Sequence, residues 1–202
     1  MSSLSLSNRG LRAPASPIRR LAPYADAARA RGTTVHHLNI GQPDIATPKV
    51  MLEAYRSIDD KVIAYSPSDG FIEYRDKLAT YYCEIAAEGG GGAPLAADDI
   101  LVTVGGSEAL VFAIAAVCDP GDEVLVCEPY YTNYAGFAHM LSVNVRPVTT
   151  NARDGFCIDP EQVEKAIGPK TRALVLPSPG NPTGVVLSRS ELAVLAEICR
   201  RH

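Results

Sequence analysis

The sequence predicts an α/β fold with a mostly parallel sheet. After residue 98, short apolar segments alternate with longer segments of helical periodicity. Short apolar segments are typical of strands buried on both faces, and the segments between them have the length of crossover helices. Gly and Pro residues separate the two kinds of segment. This alternation indicates βαβ units in a doubly wound sheet.

The first half of the chain is predicted to be mainly helical. Residues 16–32 are expected to form a short helix that ends at Gly32, and 48–58 and 72–87 are expected to form amphipathic helices. Residues 35–40 begin like a strand and run into a loop rich in Gly and Pro. The glycines at 89–92 predict a flexible connector, because no strand precedes them as it would a phosphate loop.

The second half supplies the predicted sheet. Strands are expected at 100–104, 123–127, 143–148 and 172–177, and helices at 108–118, 134–141, 160–167 and from 188 onward. Gly105 and Gly106 break the first of these strands, and Ser107 can cap the helix that follows.

Composition narrows the functional classes. The formal net charge is −4, whereas general nucleic-acid binders and proteins of anionic membranes are usually basic. No apolar run approaches the roughly 20 residues of a membrane span. The five cysteines form no CxxC pair, and the histidines have no metal-like spacing with them. We therefore expect reduced thiols, a cytoplasmic location, no metal, and neither nucleic acid nor membrane as partner.

The first twenty residues allow two interpretations. They are rich in Ser and Arg and contain no acidic residue, as organelle transit peptides are. The alternative is an ordered N-terminal arm. We prefer the arm, because the segment continues without a break into residues with functional character.

A possible anion site lies at Gly105-Gly106-Ser107. Glycines let backbone amides approach a ligand closely, and the helix that follows would direct its positive end at an anion. The usual occupant of such a turn is phosphate. Many turns of this kind bind nothing, so the motif alone leaves both possibilities open.

Two further motifs follow predicted strands directly. Residues 128–134 contain Tyr130, Tyr131 and Tyr134, and an aromatic ring at a strand end can stack on a flat heterocycle or simply pack against the sheet. Residues 178–184 place Asn181 between two prolines, which restrict its backbone. Its side-chain amide can donate to a ligand oxygen.

Together these motifs resemble one family. The segments LNIGQPD, YSPSDG, VTVGGSEAL, DPGDEVLVCEPYYTNY and SPGNPTG occur in the order and rough spacing of the class I/II aminotransferases, which are pyridoxal-phosphate (PLP) enzymes of fold type I. The resemblance extends from about Ser16 to the end of the chain.

The resemblance implies roles for individual residues. It assigns the PLP phosphate to Gly105, Gly106 and Ser107, the pyridine ring face to Tyr131, and the 3-oxygen of the ring to Asn181, which also lies near the substrate carboxylate. Gly41 matches a glycine that lines the substrate pocket, and Tyr65 matches the tyrosine that reaches the phosphate of the partner subunit. The resemblance also makes Tyr134 a neighbour of the site.

The resemblance also implies that residues are missing. The Schiff-base lysine of the family lies further along, in a serine-rich motif, and none of the five lysines here has that context. The aspartate on the pyridine nitrogen and the arginine on the substrate carboxylate are also expected beyond residue 202. We therefore expect a truncated chain without a catalytic lysine. Residues 1–47 would form the N-terminal arm and part of the small domain, and residues 48–202 the first half of the PLP-binding large domain.

The function implied is PLP-dependent transfer of an amino group between an amino acid and a 2-oxo acid, in a homodimer. The alternatives are another fold type I PLP enzyme, such as a β-lyase or decarboxylase, or a non-catalytic fragment. The isolated chain is expected to be inactive.

Overall fold

The computed structural model describes residues 4–202. The chain divides into two compact units, of which one comprises Thr33–Gly106 and the other comprises Ser107–His202 with the N-terminal residues through Gly32. The predicted boundary after residue 47 refers to the domains of the complete protein and stays a prediction. No helix in residues 4–202 combines the length and apolar character needed to cross a membrane.

The N-terminal residues through Gly32, which belong to the same unit as Ser107–His202, are helical in part. Helix α1 spans Asn8–Leu11, and α2 spans Ala22–Ala30 after a 3₁₀ turn at Arg19–Leu21. Gly32 follows α2 with φ +80°, and its N–H donates to the carbonyl of Arg29. A glycine in this left-handed region is a common helix terminator, as the sequence predicted at this position.

The unit formed by Thr33–Gly106 contains helices and irregular segments. Helix α3 spans Lys49–Arg56 and α4 spans Ile72–Glu88, close to the bounds predicted for both. Residues 35–40 are irregular, so the strand predicted there is wrong. Five of these six residues are exposed, which leaves the apolar ones among them without the cover that makes a strand stable.

The strand predicted at 100–104 is also wrong. This segment belongs to no strand of the described residues. Its backbone bonds instead to a 3₁₀ turn and to a loop, because Ile100 N–H donates to Ala97 O and Val102 N–H donates to Asp69 O. A strand requires an extended neighbour with matching hydrogen bonds, and this segment has a turn and a loop in that place.

The sheet lies in the other unit. Within residues 4–202 it has three parallel strands in the order β2-β1-β3, where β1 is Glu123–Glu128, β2 is Asn144–Thr149 and β3 is Thr171–Val175. The helices of this unit after the arm are α5 (Gly105–Val117, whose first two residues belong to the other unit), α6 (Asn133–Met140), α7 (Pro160–Ala166) and α8 (Arg189–Arg201). The predicted α/β class is thereby confirmed.

Central strand β1 divides the core into two layers. Val124 and Val126 pack with Ile114 of α5 and Ala138 of α6 on one face. Leu125 packs on the other face with Val163 of α7 and with Leu195 and Ile198 of α8. Alternate residues of a strand point to opposite faces, so these apolar neighbours require helices on both sides of the sheet.

The end of α6 contacts the N-terminal arm. Arg9 donates from its guanidinium to Ser142 Oγ at 3.1 Å, and its carbonyl oxygen lies 2.9 Å from His139 Nε2. These bonds hold α1 at the C-terminal end of α6. The first three residues of the predicted arm lie outside the described residues.

We expect Val126→Ala to lower the free energy of unfolding by about 2–3 kcal/mol, since it removes two buried methyl groups and leaves a cavity. Val126 is 0% exposed, whereas Val186, the matched control, is 68% exposed. Val186→Ala should change the stability by less than about 0.5 kcal/mol. Urea denaturation followed by circular dichroism measures both, and equal effects of the two substitutions would contradict this core.

Candidate functional site

The carboxyl ends of two neighbouring strands define the candidate site. Strands β1 and β3 are parallel and directly hydrogen-bonded, so their carboxyl ends lie at the same edge of the sheet. Tyr131 follows β1 and Asn181 follows β3. Ligands of open α/β sheets bind at this edge.

The start of helix α5 points toward the same edge. Helix α5 packs on β1 through Ile114, and the short turn at 118–122 joins the end of the helix to the beginning of the strand. The two elements therefore run antiparallel, and each is about 20 Å long. Ser107, in the first turn of α5, consequently lies toward the carboxyl end of β1.

Glycines shape the turn that leads into α5. Gly105 has φ +73°, and its N–H donates to Thr103 O at 2.8 Å. The chain thereby enters the helix at Gly105, two residues before the predicted cap, and Ser107 lies inside the first turn. A Cβ built on Gly105 or Gly106 would meet nothing within 4 Å. The first N–H groups of a helix have no acceptor within the helix, so those of Gly106 and Ser107 are available to a ligand, and the helix dipole favours an anion there.

Three tyrosines form an aromatic group after β1. The Tyr131 ring is half-buried and meets the Tyr134 ring edge-on, with 5.6 Å between centroids. Asn133 Nδ2 donates to the Tyr131 hydroxyl at 2.6 Å. Tyr130 stacks on Tyr134 with 6.3 Å between the ring centroids. Burial, and then the nearby Tyr131, raise the pKa of Tyr134 above its ordinary value, so its hydroxyl keeps its proton.

Hydrogen bonds within the loop after β3 fix its backbone. Gly180 N–H donates to Val185 O, and Gly184 N–H donates to Gly180 O, both at 2.8 Å. Leu187 N–H donates to Ser178 Oγ at 3.1 Å. The peptide bonds before Pro179 and Pro182 are cis. Asn181 is exposed on this constrained loop, so its amide is available to a ligand.

The other two predicted site residues lie in the unit of residues 33–106. Gly41 is exposed in an irregular segment, and a Cβ added to it would meet nothing within 4 Å. The Tyr65 side chain is fully exposed, at 103%. The structure thus directs Ser107, Tyr131 and Asn181 toward one edge of the sheet, whereas Gly41 and Tyr65 belong to the other unit.

One residue with local importance, Arg75, was missed from the sequence. Arg75 is the buried charged residue of the Thr33–Gly106 unit, although its place in an amphipathic helix suggested exposure. An aspartate and a glycine close before Arg75, at 69 and 70, were the available indication of a buried ion pair.

Cys127 lies beneath the Asn181 loop, where both residues line a small cavity.

Comparisons with known proteins agree with this architecture. Residues 33–202 match the family described as aminotransferase class I and II. An aspartate/prephenate aminotransferase of Thermus thermophilus is 37% identical over 175 residues, which cover 86% of this chain and 44% of the relative. A probable N-succinyldiaminopimelate aminotransferase of Mycobacterium tuberculosis is 36% identical over 198 residues, covering 90% of this chain and 47% of the relative.

The fold comparison extends over almost the whole chain. The structure of Thermus thermophilus aspartate aminotransferase with maleate aligns with a TM-score of 0.86 and 34% identity, covering 99% of this chain and 51% of that one. The chain belongs to the class I and II aminotransferase family. It spans about half the length of the curated relatives it matches.

This family implies pyridoxal phosphate as cofactor, and the residues present fit part of it. The open backbone at Gly105 and Gly106 suits a phosphate group. The half-buried Tyr131 ring can lie against a flat heterocycle, and the exposed Asn181 amide can donate to an oxygen of the ring. All five lysines are exposed, and Lys165 pairs with Glu161 at 3.3 Å.

We expect Cys127 to react with iodoacetamide at pH 8 far more slowly than the exposed Cys157. Burial raises the pKa of the Cys127 thiol from 9.0 to about 11. Each unit by which the pKa is raised lowers the thiolate fraction about tenfold. The reactive thiolate of Cys127 is therefore about two orders of magnitude rarer than that of a thiol with the unshifted pKa. Mass spectrometry of partially alkylated peptides measures both rates.

The raised pKa of Cys127 also makes the free energy of unfolding depend on pH. The folded chain keeps the Cys127 proton to higher pH than the unfolded chain, so the protonated thiol contributes its full stability below pH 9. This contribution is lost as the pH approaches about 11. Equal alkylation rates of Cys127 and Cys157 in the folded chain, as expected only after denaturation in urea, would contradict the buried position.

Proposed function

We propose that the protein containing this chain is a pyridoxal-phosphate-dependent aminotransferase that moves an amino group between an amino acid and a 2-oxo acid. The observation that carries the proposal is that Tyr131 and Asn181 follow the carboxyl ends of the neighbouring parallel strands β1 and β3. The Ser107 end of α5 is directed toward the same edge. Family membership supports the same conclusion.

The cofactor phosphate is proposed to bind at Gly105, Gly106 and Ser107. The N–H groups of Gly106 and Ser107 can donate to phosphate oxygens, while the Gly105 N–H holds the turn through its bond to Thr103 O. The Ser107 hydroxyl adds another donor. The dipole of a helix favours a negative charge at its N-terminus by about 0.3–1 kcal/mol, and by more in partly buried sites. These groups anchor the cofactor at one end.

Tyr131 and Asn181 are proposed to orient the ring. Tyr131 is held by Tyr134 and Asn133, so its ring can face the heterocycle with little loss of conformational entropy. Asn181 donates to the 3-oxygen of the ring from its fixed loop and lies near the substrate carboxylate. When bound, the cofactor supplies the electron sink, while the protein supplies binding, orientation and electrostatics.

The remaining assignments concern parts of the site that the chain shares or lacks. Gly41 is proposed to line the substrate pocket with its backbone. The reacting lysine is proposed to lie outside these 202 residues, because none of the five lysines has the expected serine-rich context. Residues 1–47 are proposed to form the arm and part of the small domain, and residues 48–202 the first half of the large domain.

All five cysteines are free, which supports a cytoplasmic location.

We expect the 202-residue chain alone not to catalyse sustained transamination. The groups proposed to hold the cofactor make weak contacts, and none of them replaces a lysine that bonds to the cofactor and carries the proton. The measurement is 2-oxo acid formation from a panel of amino acids with pyridoxal phosphate and 2-oxoglutarate. A rate above that of free pyridoxal phosphate would contradict the assignment, and the longer protein with the reacting lysine should show turnover.

The complete enzyme is proposed to be a homodimer with shared sites. The Tyr65 side chain is fully exposed in this chain, as is expected of a residue whose partner is another subunit. Its hydroxyl would donate to the cofactor phosphate of that subunit.

Mixing two impaired variants of the complete enzyme tests this sharing. Tyr65→Phe subunits and Asn181→Ala subunits each lose a hydrogen bond to a charged group, which lowers activity by about 10- to 150-fold for a cost of about 1.5–3 kcal/mol. If sites are shared, each hybrid dimer has one site with both defects and one with neither. Activity should therefore rise on mixing.

Two controls make the mixing decisive. Each variant alone must be measurably impaired, and exchange of differently tagged subunits must be demonstrated. With both conditions met, unchanged activity on mixing would show that each subunit builds its own site.

A further inference from the structure

Arg75 is a buried cation at the centre of the Thr33–Gly106 unit. It lies on α4 and is only 8% exposed. Its guanidinium contacts the Asp69 carboxylate at 2.7 Å, and its Nε donates to Gly70 O at 3.2 Å. A third bond runs from Nη1 to Ala97 O at 2.9 Å. One side chain thus joins α4, the loop at 65–70 and the 3₁₀ turn at Ala97–Asp99.

The loop held by Arg75 holds the next segment in turn. Asp69 accepts the N–H of Val102 at 3.0 Å with its carbonyl oxygen, while its carboxylate faces Arg75. Gly70 has φ +97°, and a Cβ there would lie 2.5 Å from Val102 Cγ2. The loop and Val102 are therefore in direct contact, at a position that only glycine occupies without a clash.

Val102 is three residues before Gly105. Between them, Gly105 N–H donates to Thr103 O, and Thr103 Oγ1 donates to Gly105 O at 3.1 Å. Residues 102–105 belong to no sheet in the described part of the chain. Hydrogen bonds to a neighbouring strand, which would ordinarily fix the residues before a phosphate turn, therefore do not hold this segment. The bond to Asp69 and the packing on Gly70 take that place.

The geometry of Arg75 suits this task. A planar guanidinium donates in several fixed directions at once, whereas a lysine ammonium has no such fork. Its partners are one carboxylate and two backbone carbonyls, so a change of Arg75 releases loop, turn and helix together. A hydrogen bond to a buried charged group is also among the stronger ones.

We propose that Arg75 is a positioning residue that fixes, through Asp69 and Val102, the Gly105-Gly106 turn to which the cofactor phosphate is assigned. The same side chain fixes the loop that carries Tyr65. Arg75 acts through these segments and touches no ligand itself. The inference rests on the proposed function, because the turn is assigned to the phosphate there.

Arg75→Lys and Asp69→Asn of the 202-residue chain test this inference. Asp69 is half-exposed, so Asp69→Asn should leave the fold intact. It keeps the test informative even if Arg75→Lys unfolds the chain. Arg29→Lys is the matched control, since Arg29 forms an exposed ion pair with Asp26 on α2. Hydrogen exchange measures protection of the Val102 and Gly105 amides, with the Val126 amide of β1 as internal reference.

Ligand binding supplies the second measurement. Pyridoxamine 5′-phosphate and pyridoxamine differ only in the phosphate, and neither has an aldehyde that reacts with lysines. Equilibrium dialysis gives the affinity of each variant for both compounds. A residue that positions the phosphate turn alters the ratio of the two affinities, whereas a general loss of structure lowers both alike.

For Arg75→Lys and Asp69→Asn we expect about tenfold less protection at Val102 and Gly105, unchanged protection at Val126, and about tenfold weaker binding of the phosphorylated compound alone. Arg29→Lys should match the wild type in every measurement. Wild-type protection at Val102 in both variants, or equal losses at Val102 and Val126, would overturn the role of Arg75. If instead the wild-type chain binds both compounds equally, the phosphate site itself is rejected, a result distinct from a wrong assignment of Arg75.

Discussion

Burial of β1 on both faces is the constraint on which the sheet-containing unit depends. Val124 and Val126 require cover on one side and Leu125 on the other, so helices must lie on both faces of a parallel sheet. That arrangement makes α5 antiparallel to β1 and places the start of the helix toward the carboxyl edge. The segments after β1 and β3 emerge at the same edge. The candidate site is thus a consequence of how the core is covered.

The two units stabilise their ligand-facing segments by different means. Around the sheet, apolar packing fixes the elements, and loops such as the one carrying Asn181 add internal hydrogen bonds. In the Thr33–Gly106 unit, apolar burial is sparse, and a charged side chain takes its place. Arg75 joins three segments through its contacts to Asp69, Gly70 and Ala97. A cation with low exposure is stable only with such partners. The segment before α5 therefore depends on a polar network where a strand was expected.

The hydrophobic pattern of the sequence predicted those strands and helices whose burial depends only on their own residues. The residues of β1 are apolar on both faces, and the residues from 188 onward have helical periodicity, so both elements were predicted close to their observed bounds. The structure adds that Ser188 and Glu191 form a capping box at the start of α8. Residues 100–104 are equally apolar, yet a strand also needs a neighbour, which no local pattern reveals. Ser107 was predicted as a cap, but the positive φ of Gly105 starts the helix earlier. Arg75 was missed because a charged residue on an amphipathic helix is ordinarily exposed. The roles of Gly41 and Tyr65 came from resemblance alone and stay predictions.

Phosphate binding at the start of α5 is the claim on which the proposed function depends most directly. Titration of the ¹⁵N-labelled chain with pyridoxamine 5′-phosphate, followed by amide chemical shifts, measures it. We predict the largest shifts at Gly106 and Ser107, smaller ones around Tyr131 and Asn181, and loss of the Gly106 and Ser107 shifts when pyridoxamine replaces the phosphorylated compound. Shifts that avoid all four residues, or that are the same for both compounds, would contradict the proposed site.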